Sequence, residues 1–423
     1  MKAASRYLGI LLAVCLIFSF ISCGNTADNS TDNTTLPNDN IIENKAEVIS
    51  LDKEFVSHYD RQEGYPEMLV RSEYSNITVE ENFAELYPVI ARALSENSVM
   101  RSNTMESERE HFTAIAKESY ETYPDSFTTM ISELDTVVRR SDSIAVSIIE
   151  DYSTDGLHAI AGFNFDTQSG TLLNLSDVVT DVSQVPYIIE KAVMNRIGEE
   201  EPFGENAVSD YFKSHSAENL SWTLEYNGIS FWFKPGDIAP TNFGIQSITI
   251  PFNEYPELFS KKNITSPDAY IVGIPTATTY TFNNSGKAEE LIITVDCDKA
   301  SGLYEGFTIQ TSSSDYEVSC QACNIHSYYV KAADGNSYLY VFADDSKEED
   351  RQMKLLIFNL KNGKIEKISE LNMGLLYRGD NVFALPTNPD KLLLCDYEGR
   401  YPSLEFRVGN GGLPEMSRSQ EYN

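Results

Sequence analysis

The residues most able to do chemistry here are the histidines, the cysteines and the acids. The five histidines, His58, His111, His158, His215 and His326, are scattered, and no two stand at metal-ligand spacing on one element. Cys320-Gln321-Ala322-Cys323 is a C-x-x-C, the spacing of a redox pair or of half a zinc site. The second C-x-x-C of a four-cysteine zinc site is missing, and the flanking Tyr and His do not open a thioredoxin-like helix. Cys297 and Cys395 fall in the same strand-rich stretch. One or two disulfides are expected among these four, with three pairings open; buried free thiols are the alternative. Asn283-Asn284-Ser285-Gly286-Lys287-Ala288-Glu289-Glu290 has the outline of a calcium loop. Asn and Ser replace its carboxylates, which weakens the pull on a hard dication, so a structural turn is expected. There is no G-x-S-x-G, no H-E-x-x-H, no phosphate-cradling Gly-Lys loop and no dinucleotide fingerprint. With 64 Asp+Glu in the chain, paired carboxylates can be found anywhere and single out nothing. The expectation is a protein with no catalytic residue, no resident metal and no cofactor.

That leaves binding, and the elements that would present it. Trp222-Thr223-Leu224-Glu225-Tyr226, Asn227-Gly228 and Ile229-Ser230-Phe231-Trp232-Phe233 read as a hairpin with a type I′ turn at Asn227-Gly228. Ile229, Phe231 and Phe233 share one strand face, so Trp232 points the other way, toward solvent, another domain or a partner. Trp232 and His158 are the candidate ligand-binding residues. Upstream, strand-like runs at 48–51, 68–70 and 77–79 precede two helical stretches. In 81–96, Phe83, Leu86, Val89, Ile90, Ala93 and Leu94 follow helical spacing, with Pro88 inside to kink or restart the helix. The stretch 105–120 repeats the pattern less clearly. A hairpin with Asp155-Gly156 at its turn follows, and a further helix over 185–197 puts Tyr187, Ile188, Ala192, Val193 and Ile197 on one face. From about 268 the chain is nearly all short strands between Gly, Asn and Asp turns. The fold class is therefore α+β: a pair of mixed helix and antiparallel-sheet domains, 48–154 and 155–263, then an all-β C-terminal domain, 264–423, sandwich or propeller-like.

The start of the chain speaks to location. Lys2 and Arg6 precede an apolar run over 7–21, short for the ~20 residues a membrane span needs. It ends in Phe20-Ile21-Ser22-Cys23-Gly24, which resembles the lipobox of bacterial lipoproteins. That resemblance implies a signal peptide over 1–22, a lipidated Cys23 and a protein anchored on the outer face of a cell membrane. Residues 23–47 begin with a run that has one Ala and no larger apolar side chain through Thr35, a composition that suits a disordered tether. The net charge of −32 excludes nucleic acid as a partner and attracts basic proteins. Cleavage before Cys23 would remove two bases and no acid.

Two segments carry a further resemblance. Asn164-Phe165-Asp166-Thr167-Gln168-Ser169-Gly170-Thr171-Leu172-Leu173-Asn174-Leu175-Ser176-Asp177-Val178 is the first. Gly228-Ile229-Ser230-Phe231-Trp232-Phe233-Lys234-Pro235, Asp237-Ile238-Ala239-Pro240, Gly244 and Ile248-Thr249-Ile250-Pro251-Phe252 form the second. Together they resemble an extracytoplasmic domain family of unknown function found in RsiV anti-sigma factors and beside PdaC-type polysaccharide deacetylases. Residues 48–154 resemble the partner domain that precedes it. The resemblance implies a binding module: in the RsiV branch the partner is lysozyme, and in the deacetylase branch the chemistry lies on a separate domain whose Asp-Asp and His metal motif is missing here. The expected function is extracytoplasmic binding of a lysozyme-like basic protein or a cell-wall component. The alternatives are an assembly lipoprotein docking through its β-rich domain and a non-catalytic subunit of a glycan-modifying enzyme.

Overall fold

The computed structural model describes residues 45–65, 68–154, 157–196, 203–284, 286–298, 303–322, 324–345, 352–375, 377–379, 382–396 and 404–419. The expected signal peptide over 1–22, Cys23 and most of the expected tether lie outside them, as does the expected turn at Asp155-Gly156. Strands β1 (Leu51–Asp60), β2 (Val70–Val79), β3 (Met130–Ser141), β4 (Ala145–Thr154) and β5 (Leu157–Asp166) are neighbours in one sheet. β3, β4 and β5 form an antiparallel meander, but β2 and β3 run parallel. The cause is the helix Pro88–Thr122, whose 35 residues span about 50 Å. It returns the chain to the starting end of β2, so that Met130 pairs with Val70.

The two expected helical stretches are one helix from Pro88 onward, preceded by a short one, Glu81–Leu86. Pro88 sits at the N-terminal position, where its missing N–H leaves no intrahelical carbonyl unserved. Ile90, Leu94, Arg101, Met105, Phe112 and Ala116 are buried at intervals of four and seven residues, the first seven-residue step bridged by Asn97 and Ser98, so one stripe faces the sheet. Leu86, expected on that stripe, ends the short helix and is 71% exposed.

Beside the stripe lies a half-buried acid. Glu108 accepts hydrogen bonds from Ser132 Oγ at 2.5 Å and Tyr152 Oη at 2.6 Å. Burial pushes its carboxyl above the ordinary 4.5, against the pull of those two bonds. A raised carboxyl contributes stability fully below its unfolded-state pKa and loses it as pH rises through the folded value. Glu108→Gln is therefore expected to raise Tm over the wild type at pH 7, with the gap narrowing toward pH 4. An equal gap at both pH values would show that ionisation of Glu108 costs the fold nothing.

Strands β6 (Ser221–Leu224), β7 (Gly228–Phe233) and β8 (Gln246–Pro251) form a three-stranded antiparallel sheet. Ile229, Phe231 and Phe233 pack with Val185, Ile188, Ile189 and Val193 of the helix Val185–Arg196, as the alternation predicts. Tyr187, expected on the same helix face, is 68% exposed. The hairpin turn differs from expectation. Glu225 N–H donates to the Gly228 carbonyl at 2.9 Å, so Tyr226 and Asn227 are central, and neither Asn227 nor Gly228 takes a positive φ.

From β9 (Tyr270–Ile274) the described residues form strands and turns, with one short 3-10 helix, Asn410–Gly412. β10 (Thr279–Asn284), β11 (Lys287–Asp298), β12 (Leu303–Thr311) and β13 (Ser314–Ala322) make a four-stranded meander. β14 (Asn324–Lys331), β15 (Ser337–Asp345), β16 (Gln352–Lys361) and β17 (Lys364–Leu375) continue as part of an eight-stranded sheet. The two sheets share one core, in which Phe282, Ile293 and Phe307 meet Tyr329, Val341 and Phe358. β15 buries both faces, Leu339 and Val341 on one side and Tyr338, Tyr340 and Phe342 on the other, which explains its unbroken apolar run. β18 (Tyr377–Gly379) and β19 (Val382–Ala384) leave this region: β19 pairs with β1, and β18 pairs with β19. β20 (Leu392–Asp396), β21 (Leu404–Val408) and β22 (Pro414–Ser419) then complete the eight-stranded sheet. Two expected divisions are thereby corrected. A border at 154/155 cuts the β4–β5 hairpin, and the residues after 264 are not a separate block, since β18 and β19 belong to the first sheet.

Candidate functional site

Two consecutive arginines near the end of β3 join the three regions. Neighbouring strand residues ordinarily face opposite sides, but a register shift at Val138/Arg140 breaks the alternation. Both side chains are fully buried. Arg139 Nε and Nη2 donate to Glu225 Oε1 at 2.9 and 2.5 Å, and Nη1 donates to the Gly273 carbonyl on β9 at 2.7 Å. Its guanidinium lies 5.4 Å from the Trp232 ring and 5.0 Å from the Tyr280 ring. Arg140 Nε donates to Asp142 Oδ2 at 2.9 Å. Its other nitrogens donate to the carbonyls of Glu225, Asn263 and Thr265 at 3.1, 2.9 and 2.6 Å.

This cluster sets the position of Tyr226, the residue after Glu225. The Arg140 guanidinium lies 5.4 Å from the Tyr226 ring. The phenol oxygen accepts from Ser141 N–H at 2.9 Å and donates to the Ser141 carbonyl at 3.2 Å. Burial pushes the Tyr226 hydroxyl well above its ordinary pKa, which keeps it neutral. The ring stacks on Tyr270 at 4.1 Å. Tyr226 and Tyr270 form the inner wall of a cleft of about 620 Å³. The other walls come from the end of β8, the 264–268 segment, the β10–β11 hairpin, the β14–β15 turn and the end of β16.

The cleft is polar. Asn227 Nδ2 donates to the Thr281 carbonyl, while Asn227 Oδ1 and Thr281 Oγ1 are buried without a hydrogen-bond partner among the described residues. Five further asparagines and two lysines line it, Lys331 and Lys361 being the lysines. Its one acid, Asp268, is paired with Lys45 at 2.5 Å. Two bases against one acid reverse the chain's 32 against 64.

The residues singled out in the sequence lie elsewhere. Trp232 does face away from Ile229, Phe231 and Phe233, but it is 2% exposed and packs on Ile149, Ile160 and Ile245. Its Nε1 donates to Thr223 Oγ1 at 2.9 Å. The face opposite the small sheet's core lies against the first sheet, so Trp232 is not a partner anchor. His158 on β5 is 2.6 Å from Asp151 Oδ1, and that bond raises its pKa. It does not line the cleft. Cys297 is an exposed free thiol on β11, Cys320 lies on β13 and Cys395 on β20. Cys323 lies outside the described residues. The 283–290 segment is a tight hairpin in which Asn283 Oδ1 accepts the Gly286 N–H at 2.8 Å. Among the described residues, no group of three or more His, Cys, Asp or Glu could hold a metal ion. No helix among them is long and apolar enough to cross a membrane. The arginine pair had a sequence signal that went unused: two adjacent cations close an otherwise strand-like run, Thr136-Val137-Val138-Arg139-Arg140-Ser141.

Residues 177–253 match a family described as "Protein of unknown function (DUF3298)". This stretch contributes Tyr226, Asn227 and the end of β8 to the cleft. Among solved structures, the chain is similar to a DUF3298 family member from Bacteroides fragilis NCTC 9343, with a TM-score of 0.40 and 13% identity over 52% of this chain and 97% of that one. It is also similar to a DUF3298 family protein from Pseudomonas aeruginosa PAO1, with a TM-score of 0.34 and 12% identity over 52% and 97% of the two chains. No curated protein matches it.

Proposed function

We propose that this chain is a lipoprotein, anchored through Cys23 on the outer face of a cell membrane, whose cleft binds a polar cell-wall component without catalysing a reaction. The observation that carries this reading is the cleft. Its volume of about 620 Å³ lies within the range of small-ligand sites, and Asn227 Oδ1 and Thr281 Oγ1 beside it lack partners among the described residues. The Arg139, Arg140 and Glu225 cluster holds its inner wall rigid, which lowers the ordering cost of binding. The closer likeness to the RsiV and PdaC-associated domains, beyond the DUF3298 match, belongs to this proposal.

Asn253 is exposed on the cleft rim, so a large side chain there can plug the space without disturbing the core. Titration of the whole chain with soluble peptidoglycan fragments is expected to give saturable binding, weakened at least about tenfold by Asn253→Trp. Equal binding by the two proteins would rule out the cleft. A second reading rests on the net charge of −32, which would steer a basic protein such as lysozyme to the acidic surface. It predicts saturable binding of lysozyme, but not of an equally basic unrelated protein, that persists in Asn253→Trp and survives moderate salt.

A further inference from the structure

We infer that the cleft ligand is an acidic saccharide: a hydroxyl-bearing ring or short chain carrying one carboxylate or phosphate. This names the ligand class of the site proposed above and rests on that reading. The inference comes from what the walls have left to offer. Asn227 has one amide hydrogen engaged by the Thr281 carbonyl and leaves its Oδ1 open. Asn283 is the reverse: its oxygen is engaged by Gly286 N–H and its amide hydrogens remain. Asn336 donates from Nδ2 to Asp334 Oδ2 at 2.9 Å, which leaves its oxygen. Thr281 Oγ1 can both give and accept. Donors and acceptors are therefore interspersed, as a ligand rich in hydroxyls requires, since each hydroxyl also gives and accepts.

Charge supplies the second half. Lys331 and Lys361 line the cleft, and neither is ion-paired among the described residues. Among the described residues, Lys331 Nζ donates only to the Gly335 carbonyl, and its part-burial disfavours the charged form. Asp334, the acid that acts on Lys331, is committed to the Asn336 backbone N–H and side chain at 2.9 Å each. An anionic group between the two lysines would restore the solvation that Lys331 has lost. A cationic ligand would meet both lysines at like charge.

The test titrates the whole chain with trigalacturonate, glucose 6-phosphate and neutral maltotriose, using wild type, Asn253→Trp and Lys331→Met/Lys361→Met. The expected result is saturable binding of a carboxylated or phosphorylated sugar, about tenfold or more tighter than maltotriose. That preference disappears in the lysine variant, and Asn253→Trp weakens every ligand. Whichever anion binds identifies the acidic group. Maltotriose bound as tightly as both acids, and lost only in Asn253→Trp, would overturn the acidic class while leaving the cleft as the site. If no sugar binds while peptidoglycan fragments still do, the inference fails alone. If the fragments do not bind either, the cleft reading falls with it.

Discussion

Replacing Glu225 with alanine is expected to cost about 3–5 kcal/mol of folding stability. The side chains of Glu225 and Arg139 are both fully buried, and two of the three hydrogen bonds from Arg139 end on Glu225 Oε1. Without the carboxylate, the guanidinium keeps one carbonyl and two ring faces, which do not offset its lost hydration. Arg139→Met alone should cost a comparable amount, because it strands the carboxylate instead. The informative variant is Arg139→Met/Glu225→Leu. A buried pair repays its desolvation only in part, so the double change should recover most of the loss. Urea midpoints of the four proteins decide the matter. A single-variant loss under about 1 kcal/mol would mean that water reaches the pair. A double variant no better than the singles would mean that the pair itself, rather than its breaking, carries the stability. The consequence extends to the site, because Tyr226 follows Glu225 in the chain and stacks on Tyr270 at the cleft wall.

Local patterning made much of this fold legible. Alternation put Ile229, Phe231 and Phe233 on the core face, and Pro88, read as a kink or a restart, opens the long helix. What alternation cannot carry is what lies against the second face. It turned Trp232 away from the helices, yet the first sheet waiting there comes from chain far upstream. The site was hidden for the same reason. Arg139 meets Glu225 across 86 residues, and the cleft draws on six separate segments, none with a motif. The turns show how tertiary contact overrides a local signal. Asn362-Gly363 takes positive φ at both residues and closes β16 onto β17 as a type I′ turn should. Asn227-Gly228, the same dipeptide, does not. A Cβ at Gly228 would stand 2.5 Å from the Ile250 carbonyl, so here glycine serves the close approach of β8.

Gly162→Ala is the second change with a large expected effect, and it tests whether the first sheet and the three-stranded sheet behave as one body. Gly162 lies on β5, where its N–H donates to Ser221 Oγ at 2.8 Å. A Cβ there would fall 2.1 Å from the Trp222 carbonyl oxygen and 2.7 Å from its carbon, where real contacts stay beyond 3.0 Å. The obstacle is backbone and has no rotamer to escape into, so β5 and β6 must separate. Separation strains the bridge that Asn164 makes, its Nδ2 donating to Trp222 O at 2.9 Å and its Oδ1 accepting from Leu224 N–H at 2.7 Å. Overpacking and weakened buried hydrogen bonds together should cost about 3 kcal/mol or more, well above the gain of up to about 1 kcal/mol from stiffening the unfolded chain. Gly204→Ala is the matched control, since nothing lies within 4 Å of its Cβ position; it should stay within about 0.5 kcal/mol of wild type. If the junction is a single cooperative body, Gly162→Ala lowers one sharp transition. If the two glycine variants match in stability, β5 and β6 are only loosely docked. The three-stranded sheet would then move independently of the arginine cluster, and the cleft wall it supplies would not be preorganised.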